Sequence, residues 1–235
     1  MTEENNSQSG DQSKHTPYPF SAFAEKYDAW YDSEEGKILY ENEKKCIKTL
    51  LKGCEKILEI GVGTGRFSVL ANQAIGVDIA FPSLKIAKKR GALAIQARAE
   101  RLPFKDETFE CIMFIVTLSF VEDLVKALLE AKRVLKKNGK IIICEVFKES
   151  ELGKLYEEKK KKGHPFYSYA TFYSFSEFKK ILENCELKIN SAYGTLVNYP
   201  CESSRLEAPV KISTETSDFN NFNKIPGFVC IEVSK

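Results

Sequence analysis

Three glycines at alternate positions, Gly61, Gly63 and Gly65, are the residues whose spacing most directly indicates chemistry. They follow an apolar run that carries one acid, Glu59, near its end. Glycine leaves the backbone bare, so a ligand can press against N–H and C=O groups where a buried strand turns into the next element. Thirteen residues after Gly65, a second apolar run ends in Asp78. A carboxylate at the tip of a neighbouring strand can hold a ribose, so the sequence predicts a nucleotide-containing ligand.

The spacing of the glycines narrows the choice of nucleotide. Dinucleotide-binding proteins carry G-x-G-x-x-G, whereas this chain has G-x-G-x-G with an acid two residues before it. Together with Asp78, this pattern resembles the class I S-adenosylmethionine-dependent methyltransferases. It is most similar to the small-molecule group that includes the ubiquinone and menaquinone biosynthesis methyltransferases. The resemblance covers 56–193 well, Tyr27 to Tyr31 moderately and 198–224 hardly at all.

The resemblance implies S-adenosylmethionine as cofactor, S-adenosylhomocysteine as product and a set of cofactor-binding residues. Glu59 and the loop from Gly61 to Gly65 would hold the amino-acid end and the ribose region. Asp78 would accept hydrogen bonds from both ribose hydroxyls; its alternative role is a turn carboxylate ahead of Pro82.

A second segment of the resemblance lies at 99–104, after the third predicted strand. The family commonly has an acid just before the alanine of this segment, facing the adenine amino group. Here that position is Arg98, and the acid follows as Glu100. Adenine contact is therefore expected from the backbone around Ala99 and from Glu100, which could equally be a solvated loop charge.

The loop after the fourth predicted strand faces the acceptor in the resembling family. Thr117 is small enough to lie near the methionine portion of the cofactor, and Phe120 could form a wall of the acceptor pocket. Enzymes that methylate adenine or cytosine in nucleic acids carry Asn/Asp-Pro-Pro-aromatic or Pro-Cys in this loop. Neither motif is present, which argues against base methylation.

Aromatic side chains cluster near the N-terminus, where Tyr27, Trp30 and Tyr31 share one face of a predicted helix. In the resembling family this helix covers the cofactor. Tyr27 could then place its ring against the sulfonium, a cation–π contact of about 0.5–2 kcal/mol. Tyr31 could reach either the cofactor or the acceptor. Packing of the helix on the core explains the same pattern, above all for Trp30.

A second aromatic group falls at 164–173, where the family places its acceptor lid. Phe166 and Tyr173 could contact an apolar or aromatic acceptor, or they could pack the lid on the sheet. His164 is one of two histidines, the other being His15, and is a weak candidate for a base that takes a proton from the acceptor.

The elements that must position these residues alternate along the chain. Apolar runs predict strands at 56–60, 74–78, 92–96, 110–116, 140–147, 186–193 and 228–233. Helices are predicted at 66–73, 82–90, 123–136, 149–163 and 176–184, with two more before residue 53. This alternation predicts an α/β Rossmann-like sheet, mostly parallel, with helices on both faces. The resemblance implies seven strands, the last antiparallel between the fifth and sixth.

Composition and length fit one domain. We expect a disordered tail over 1–15 and a single domain over 16–235, with cap helices at 16–53, a lid at 148–173 and an insertion at 198–224. The formal net charge of +2 provides no strong field for nucleic acid. The seven cysteines include no C-x-x-C pair, so neither a metal site nor a disulfide framework is expected.

The chemistry expected is in-line methyl transfer to a small-molecule acceptor, in the cytoplasm, because no apolar run is long enough for a membrane span or a signal peptide. Three alternatives stay open: an RNA or protein methyltransferase, an NAD-dependent oxidoreductase, and a non-catalytic protein that binds the cofactor. The sequence leaves open whether O, N, S or C is methylated, the oligomeric state, and whether the acceptor is a lipid-like quinone precursor or a small polar amine.

Overall fold

The computed structural model describes residues 20–71, 74–200, 205–215 and 224–235. The predicted tail, His15 and part of the predicted insertion lie outside these ranges. The helices are α1 to α6: Ala24–Trp30, Glu34–Leu50, Phe81–Lys89, Leu124–Val134, Glu151–Lys161 and Phe175–Asn184. The strands are β1 to β8: Ile57–Ile60, Ile75–Asp78, Leu93–Gln96, Phe109–Ile115, Leu135–Glu145, Lys188–Thr195, Val210–Ile212 and Phe228–Ser234.

The strands form one sheet in the order β3-β2-β1-β4-β5-β8-β6-β7. From β3 to β5 all neighbours are parallel. The chain moves outward from β1 to β3 and then returns to begin β4 on the other side of β1. The carboxyl ends of β1 and β4 therefore flank the point where the strand order reverses, which is where open α/β sheets bind ligands.

The last strand confirms the predicted fold class. β8 pairs antiparallel with both β5 and β6, between which it lies. The described sheet has eight strands rather than the seven expected, because Val210–Ile212 pairs with β6 at the edge. This extra strand falls inside the predicted insertion.

Helices cover both faces of the sheet, and β4 shows how the core divides. Phe109, Ile112 and Phe114 pack on the face covered by α4 and α6. Cys111, Met113 and Ile115 point the other way, toward α2 and the start of α5. All of these β4 side chains are buried. A strand that is buried on both faces has a continuous apolar sequence, which is why this strand could be predicted from its apolar run.

Local hydrogen bonds set the helix ends. The Ser33 hydroxyl accepts from the Gly36 N–H at 3.0 Å and caps α2, which begins at Glu34. The predicted helix over 66–73 is wrong for its described residues: only a 3₁₀ turn forms at Ser68–Leu70. The Ser68 hydroxyl donates to the Gly65 carbonyl at 2.9 Å and Ala71 is extended, so the turn does not propagate.

One cysteine pair departs from expectation. Cys144 in β5 and Cys230 in β8 lie directly opposite each other in the antiparallel register and form a disulfide. The pair could not be recognised from sequence, because the two residues are 86 positions apart. Within the described ranges, no three His, Cys, Asp or Glu side chains group as a metal site would require, and no helix has the length and apolarity to cross a bilayer.

Candidate functional site

A cavity of about 330 Å³ opens at the carboxyl ends of β1, β2 and β4. This volume is in the range of small-molecule sites. Eight residues predicted from the sequence to bind cofactor or acceptor line it: Tyr27, Gly61, Gly63, Asp78, Ala99, Glu100, Thr117 and Phe120. The sheet topology thus brings together segments that are far apart in the chain.

The glycine loop forms one wall, and its conformation explains two of the glycines. Gly61 and Gly63 have φ values of +79° and +52°, a region that side chains disfavour. A Cβ on Gly61 would lie 2.3 Å from Thr117 Cγ2, so the loop could not approach β4 so closely. A Cβ on Gly63 would meet no atom within 4 Å. Gly63 therefore presents bare backbone to the cavity, as a closely packed ligand needs.

Asp78 ends β2 and faces the glycine loop. The Gly63 N–H donates to its Oδ2 at 2.8 Å, and the Ala80 N–H donates to its Oδ1 at 2.8 Å. Each carboxylate oxygen keeps a second lone pair for a ligand hydroxyl. Burial raises the pKa of Asp78, and the backbone hydrogen bonds oppose that rise. The side chain is fixed by its neighbours and is suited to accepting two hydrogen bonds from a diol.

Glu59 lies beneath the loop in β1 and is 1% exposed. Its Oε2 is buried without a hydrogen-bond partner among the described residues. Burial, together with the nearby charge of Asp78, raises its pKa well above the usual value. Glu59 does not form part of the cavity surface. An unpartnered buried carboxylate oxygen behind the glycine loop fits a ligand that carries a positively charged amino group, such as the methionine end of the expected cofactor.

Glu100 is held rather than loosely solvated. Its Oε1 accepts hydrogen bonds from the backbone N–H groups of Glu122 at 2.9 Å and Asp123 at 3.3 Å. These contacts fix the segment after β3 against the start of α4. Ala99 and Glu100 also line the cavity.

Glu145, at the end of β5, is a residue that the sequence reasoning missed. It is 3% exposed, and it accepts from the Leu118 N–H at 2.8 Å and from the Ser119 hydroxyl at 2.9 Å. Burial raises its pKa to about 7, against these hydrogen bonds. The loop that carries Thr117 and Phe120 is therefore fixed from below by one carboxyl group. The sequence feature that could have identified Glu145 is an acid at the end of an apolar strand, which is the same pattern as at Asp78.

Asp28, on α1, is a second missed residue. It accepts from Thr64 Oγ1 at 2.7 Å, Arg66 Nε at 2.8 Å and Arg90 Nη2 at 3.0 Å. Burial raises its pKa, but the hydrogen bonds from both arginines and from Thr64 outweigh it, and the net shift is downward. Arg66 also forms an ion pair with Asp32. This network holds α1 over the glycine loop, and no local motif marks it.

Aromatic rings close the cavity on the side of α1. Tyr27 lines it and shares a hydrogen bond with Tyr31 across 3.1 Å between the hydroxyl oxygens. Phe20 packs edge-on against Phe120, with ring centroids 4.9 Å apart. Phe166 reaches both Phe20 and Tyr27 at about 5.7 Å and 5.6 Å between centroids. The N-terminal segment and the predicted lid thus meet over the cavity.

Several predicted residues do not line the cavity. Tyr31 is 7% exposed and lies behind Tyr27, and Gly65 packs against α3 at Ala87. Phe166 contacts the cavity rings from outside, and Tyr173 packs on Phe178 in the core.

His164 also lies away from the cavity wall. Its ring lies 4.7 Å from that of Tyr167, and its Nδ1 accepts from the Phe166 N–H at 3.3 Å. Burial and the charges of Lys159 and Lys26 lower its pKa. Nothing in its surroundings directs it toward a reacting atom.

Comparison with known proteins is consistent across sequence and structure. Residues 58–143 match the family model described as a methyltransferase domain. A protein of Methanocaldococcus jannaschii without assigned function is 46% identical over 178 residues, which is 75% of this chain and 84% of that protein. The ubiquinone/menaquinone biosynthesis C-methyltransferase of Francisella philomiragia is 33% identical over 165 residues, covering 63% of this chain and 66% of its own length.

A crystal structure from Thermotoga maritima gives a strong structural match. That protein is described as an S-adenosylmethionine-dependent methyltransferase, possible histamine N-methyltransferase. It is 34% identical, with a TM-score of 0.81, and the match covers 92% of this chain and 98% of that one.

Proposed function

The chain belongs to the class I S-adenosylmethionine-dependent methyltransferases, and we propose that its acceptor is a small molecule. The observation that carries the proposal is the cavity, which is enclosed by aromatic rings from Phe20, Tyr27 and Phe120 beside the glycine loop. A site covered in this way suits a compact acceptor better than an extended RNA or protein chain.

We assign the cofactor-binding roles from the geometry of the cavity wall. Asp78 accepts hydrogen bonds from the ribose hydroxyls, and Gly61 and Gly63 pass beside the ribose and the amino-acid end. Glu59 stabilises the methionine ammonium group by its charge from behind the loop, without lining the cavity. The adenine lies along Ala99 and Glu100.

The remaining assigned residues surround the transferred methyl group. Bound S-adenosylmethionine supplies a methyl group on a positively charged sulfur. Tyr27 lies against that charge, Thr117 beside the methionine portion, and Phe120 on the acceptor side. The protein's contribution is to align the acceptor and exclude water, and such positioning can supply about 7–11 kcal/mol.

The predicted cap helices and lid cover the two ligands in this proposal. The cap helices of 16–53 cover the cofactor, and the lid of 148–173 covers the acceptor through Phe166. Tyr31 supports Tyr27 rather than contacting the acceptor. A cytoplasmic location stays a prediction from the sequence.

Thermal unfolding with S-adenosylmethionine, S-adenosylhomocysteine or NAD tests the cofactor site. A ligand at 100 times its Kd stabilises the folded state by about 2.7 kcal/mol. We expect stabilisation by the first two ligands only, and its loss in Asp78→Ala. Stabilisation by NAD, or an unchanged response in Asp78→Ala, would contradict the assignment.

Transfer of a labelled methyl group tests the acceptor class. The protein is incubated with methyl-labelled S-adenosylmethionine and a cell extract, which is then separated into small-molecule, RNA and protein fractions. We expect label in the small-molecule fraction, with histamine included as a defined acceptor because of the Thermotoga relative. Label confined to RNA or protein would support the alternative acceptor class instead.

A further inference from the structure

The side chain that precedes Ala99 cannot accept a hydrogen bond from the amino group of an adenine. This position holds Arg98, which lines the cavity. A guanidinium group carries N–H donors and no acceptor. The turn that follows fixes the backbone at this point, because the Arg98 carbonyl accepts from the Arg101 N–H at 3.1 Å. An adenine that lies along Ala99, as in the proposed function, therefore needs an acceptor from another part of the wall.

Glu100 is an acid in the same segment, but its carboxylate is used inside the protein. Its Oε1 accepts from the backbone N–H groups of Glu122 and Asp123. Its Oε2 pairs with Arg98 Nε at 3.5 Å. The side chain is only 12% exposed. Glu100 thus borders the cavity while holding the start of α4, and it offers little to a ligand donor.

Glu122 also lines the cavity, shortly before α4 begins. Its side chain is 43% exposed, against 12% for Glu100, so a ligand reaches its carboxylate more easily. Its Oε2 accepts a hydrogen bond from Arg98 Nη2. A carboxylate has about four lone-pair sites, so it can hold Arg98 and a ligand donor at the same time.

The contacts of Glu122 place it at the adenine end of the cavity. The Ala97 N–H donates to the Asp78 carbonyl at 3.0 Å, so the segment after β3 begins beside the residue assigned to the ribose. Glu122 is bonded to that segment twice, through its backbone N–H to Glu100 and through its carboxylate to Arg98. Glu122 therefore belongs to the part of the wall that borders the base in the proposed function.

We propose that Glu122 accepts a hydrogen bond from the adenine amino group, and that Arg98 is the positioning residue that holds the Glu122 carboxylate for this contact. The inference rests on the proposed function and names the group of that site that selects adenine over other purines. The acid that the resembling family carries before Ala99 is replaced here by an acid from a different segment, the connection between β4 and α4.

The chemistry of the two side chains supports this division of roles. A carboxylate only accepts hydrogen bonds, so it suits the adenine amino group and disfavours the oxygen that hypoxanthine carries at the same place. Arg98 lies beside the carboxylates of both Glu100 and Glu122. Its positive charge offsets the repulsion between them, which allows a second acid to stand at this wall.

Two ligands that differ only in the amino group test the inference. They are S-adenosylhomocysteine and its 6-deamino analogue, which has hydrogen in place of the amino group. Calorimetric titration gives both Kd values in wild type and in Glu122→Ala. We expect wild type to bind S-adenosylhomocysteine about tenfold more tightly, because the analogue lacks a hydrogen bond to a charged group. In Glu122→Ala the preference should fall to about twofold or less, while the Kd for the analogue stays within about twofold of wild type.

The analogue separates recognition of the base from support of the cavity wall. A purely structural role of Glu122 would weaken both ligands equally in Glu122→Ala and leave their ratio unchanged, and that result would overturn the inference. Equal affinity of wild type for the two ligands would also overturn it. Failure of wild type to bind either ligand would instead contradict the proposed function, because both ligands carry the ribose and the amino-acid end.

Variants of Arg98 and of a distant acid complete the experiment. Arg98→Met should reduce the preference to about threefold, because Glu122 loses the group that holds it, and Arg98→Lys should keep more of the preference. Glu186→Gln is the matched control, since Glu186 forms an ion pair with Lys132 and has a side chain 87% exposed. This control should show the wild-type preference. An undiminished preference in Arg98→Met would overturn the positioning role of Arg98.

Discussion

The carboxylate of Asp28 on α1 accepts a hydrogen bond at 2.7 Å from the hydroxyl of Thr64 in the glycine loop. The same carboxylate pairs with Arg66 and Arg90, so one side chain joins α1, the loop and the end of α3. This contact ties the helix that presents Tyr27 to the glycine loop, in addition to the ring packing of Tyr27 against Phe20 and Phe166. Its removal should therefore affect cofactor binding as well as stability.

We expect Asp28→Asn to lower the free energy of unfolding by about 1–3 kcal/mol, because both arginines lose a charged partner. The Kd for S-adenosylmethionine should rise about tenfold as α1 loosens over the loop. Urea unfolding and calorimetric titration measure the two effects. The control is Asp32→Asn, which removes an ion pair with Arg66 from a side chain that is 63% exposed and should change stability much less than Asp28→Asn does. Equal effects of the two substitutions would show that Asp28 has no special role.

Among the residues predicted to bind the cofactor, several that line the cavity are marked by local sequence features. Gly61, Gly63 and Asp78 are marked by glycine spacing and by an acid at a strand tip, and parallel topology brings such tips together. Asp28 carries no such mark. Its three partners lie 36, 38 and 62 residues away, so only the folded structure reveals the network.

Aromatic clusters and short helices are ambiguous in sequence for physical reasons. A ring that packs in the core and one that faces a ligand look alike, which is why Tyr173 and Phe120 could not be separated before the structure placed only Phe120 in the cavity wall. The turn at Ser68–Leu70 read as a helix because its composition is compatible with one. The chain turns extended at Ala71, so the turn ends after three residues.

The two glycines of the loop should respond differently to alanine. Gly61→Ala combines a positive φ with a Cβ 2.3 Å from Thr117, so we expect it to cost about 2–4 kcal/mol in urea unfolding. Gly63→Ala has only the strained backbone and should cost about 1–2 kcal/mol, yet its Cβ enters the cavity and should abolish stabilisation by S-adenosylmethionine. Adding Thr117→Gly should recover part of the Gly61→Ala loss, and no recovery would mean that the clash is not its cause.

Glu145 should make stability depend on pH. Its pKa rises from 4.5 in the unfolded chain to about 7 in the folded state, so between these values the unfolded chain releases a proton that the folded chain retains. The contribution of Glu145 to stability therefore falls as pH rises through this window and is constant above it.

We compare the free energy of unfolding of Glu145→Gln with that of wild type at about pH 5 and about pH 8. The difference in favour of Glu145→Gln should be about 2–3 kcal/mol larger at the higher pH. The amide keeps an acceptor for the Leu118 N–H and a group to pair with Ser119, so the loop stays in place. Urea unfolding at both pH values measures the difference. Glu55→Gln, at an exposed site, removes the same charge and should show no such gain. If the difference in free energy of unfolding between wild type and Glu145→Gln did not change with pH, burial would not raise the pKa of Glu145 in the folded state.

Glu59 should show opposite effects on stability and on binding. Its Oε2 is buried without a partner and burial raises its pKa well above the usual value, so the carboxyl group destabilises the free protein once pH exceeds the usual range for glutamate. Near pH 8 we expect Glu59→Gln to raise the free energy of unfolding by about 1 kcal/mol or more. The same substitution removes the charge that we assign to the methionine ammonium group, so the Kd for S-adenosylmethionine should rise about tenfold. A ligand without that amino group, such as 5′-methylthioadenosine, should bind both proteins equally. If Glu59→Gln weakened both ligands alike, the residue would act through the shape of the loop and not through its charge.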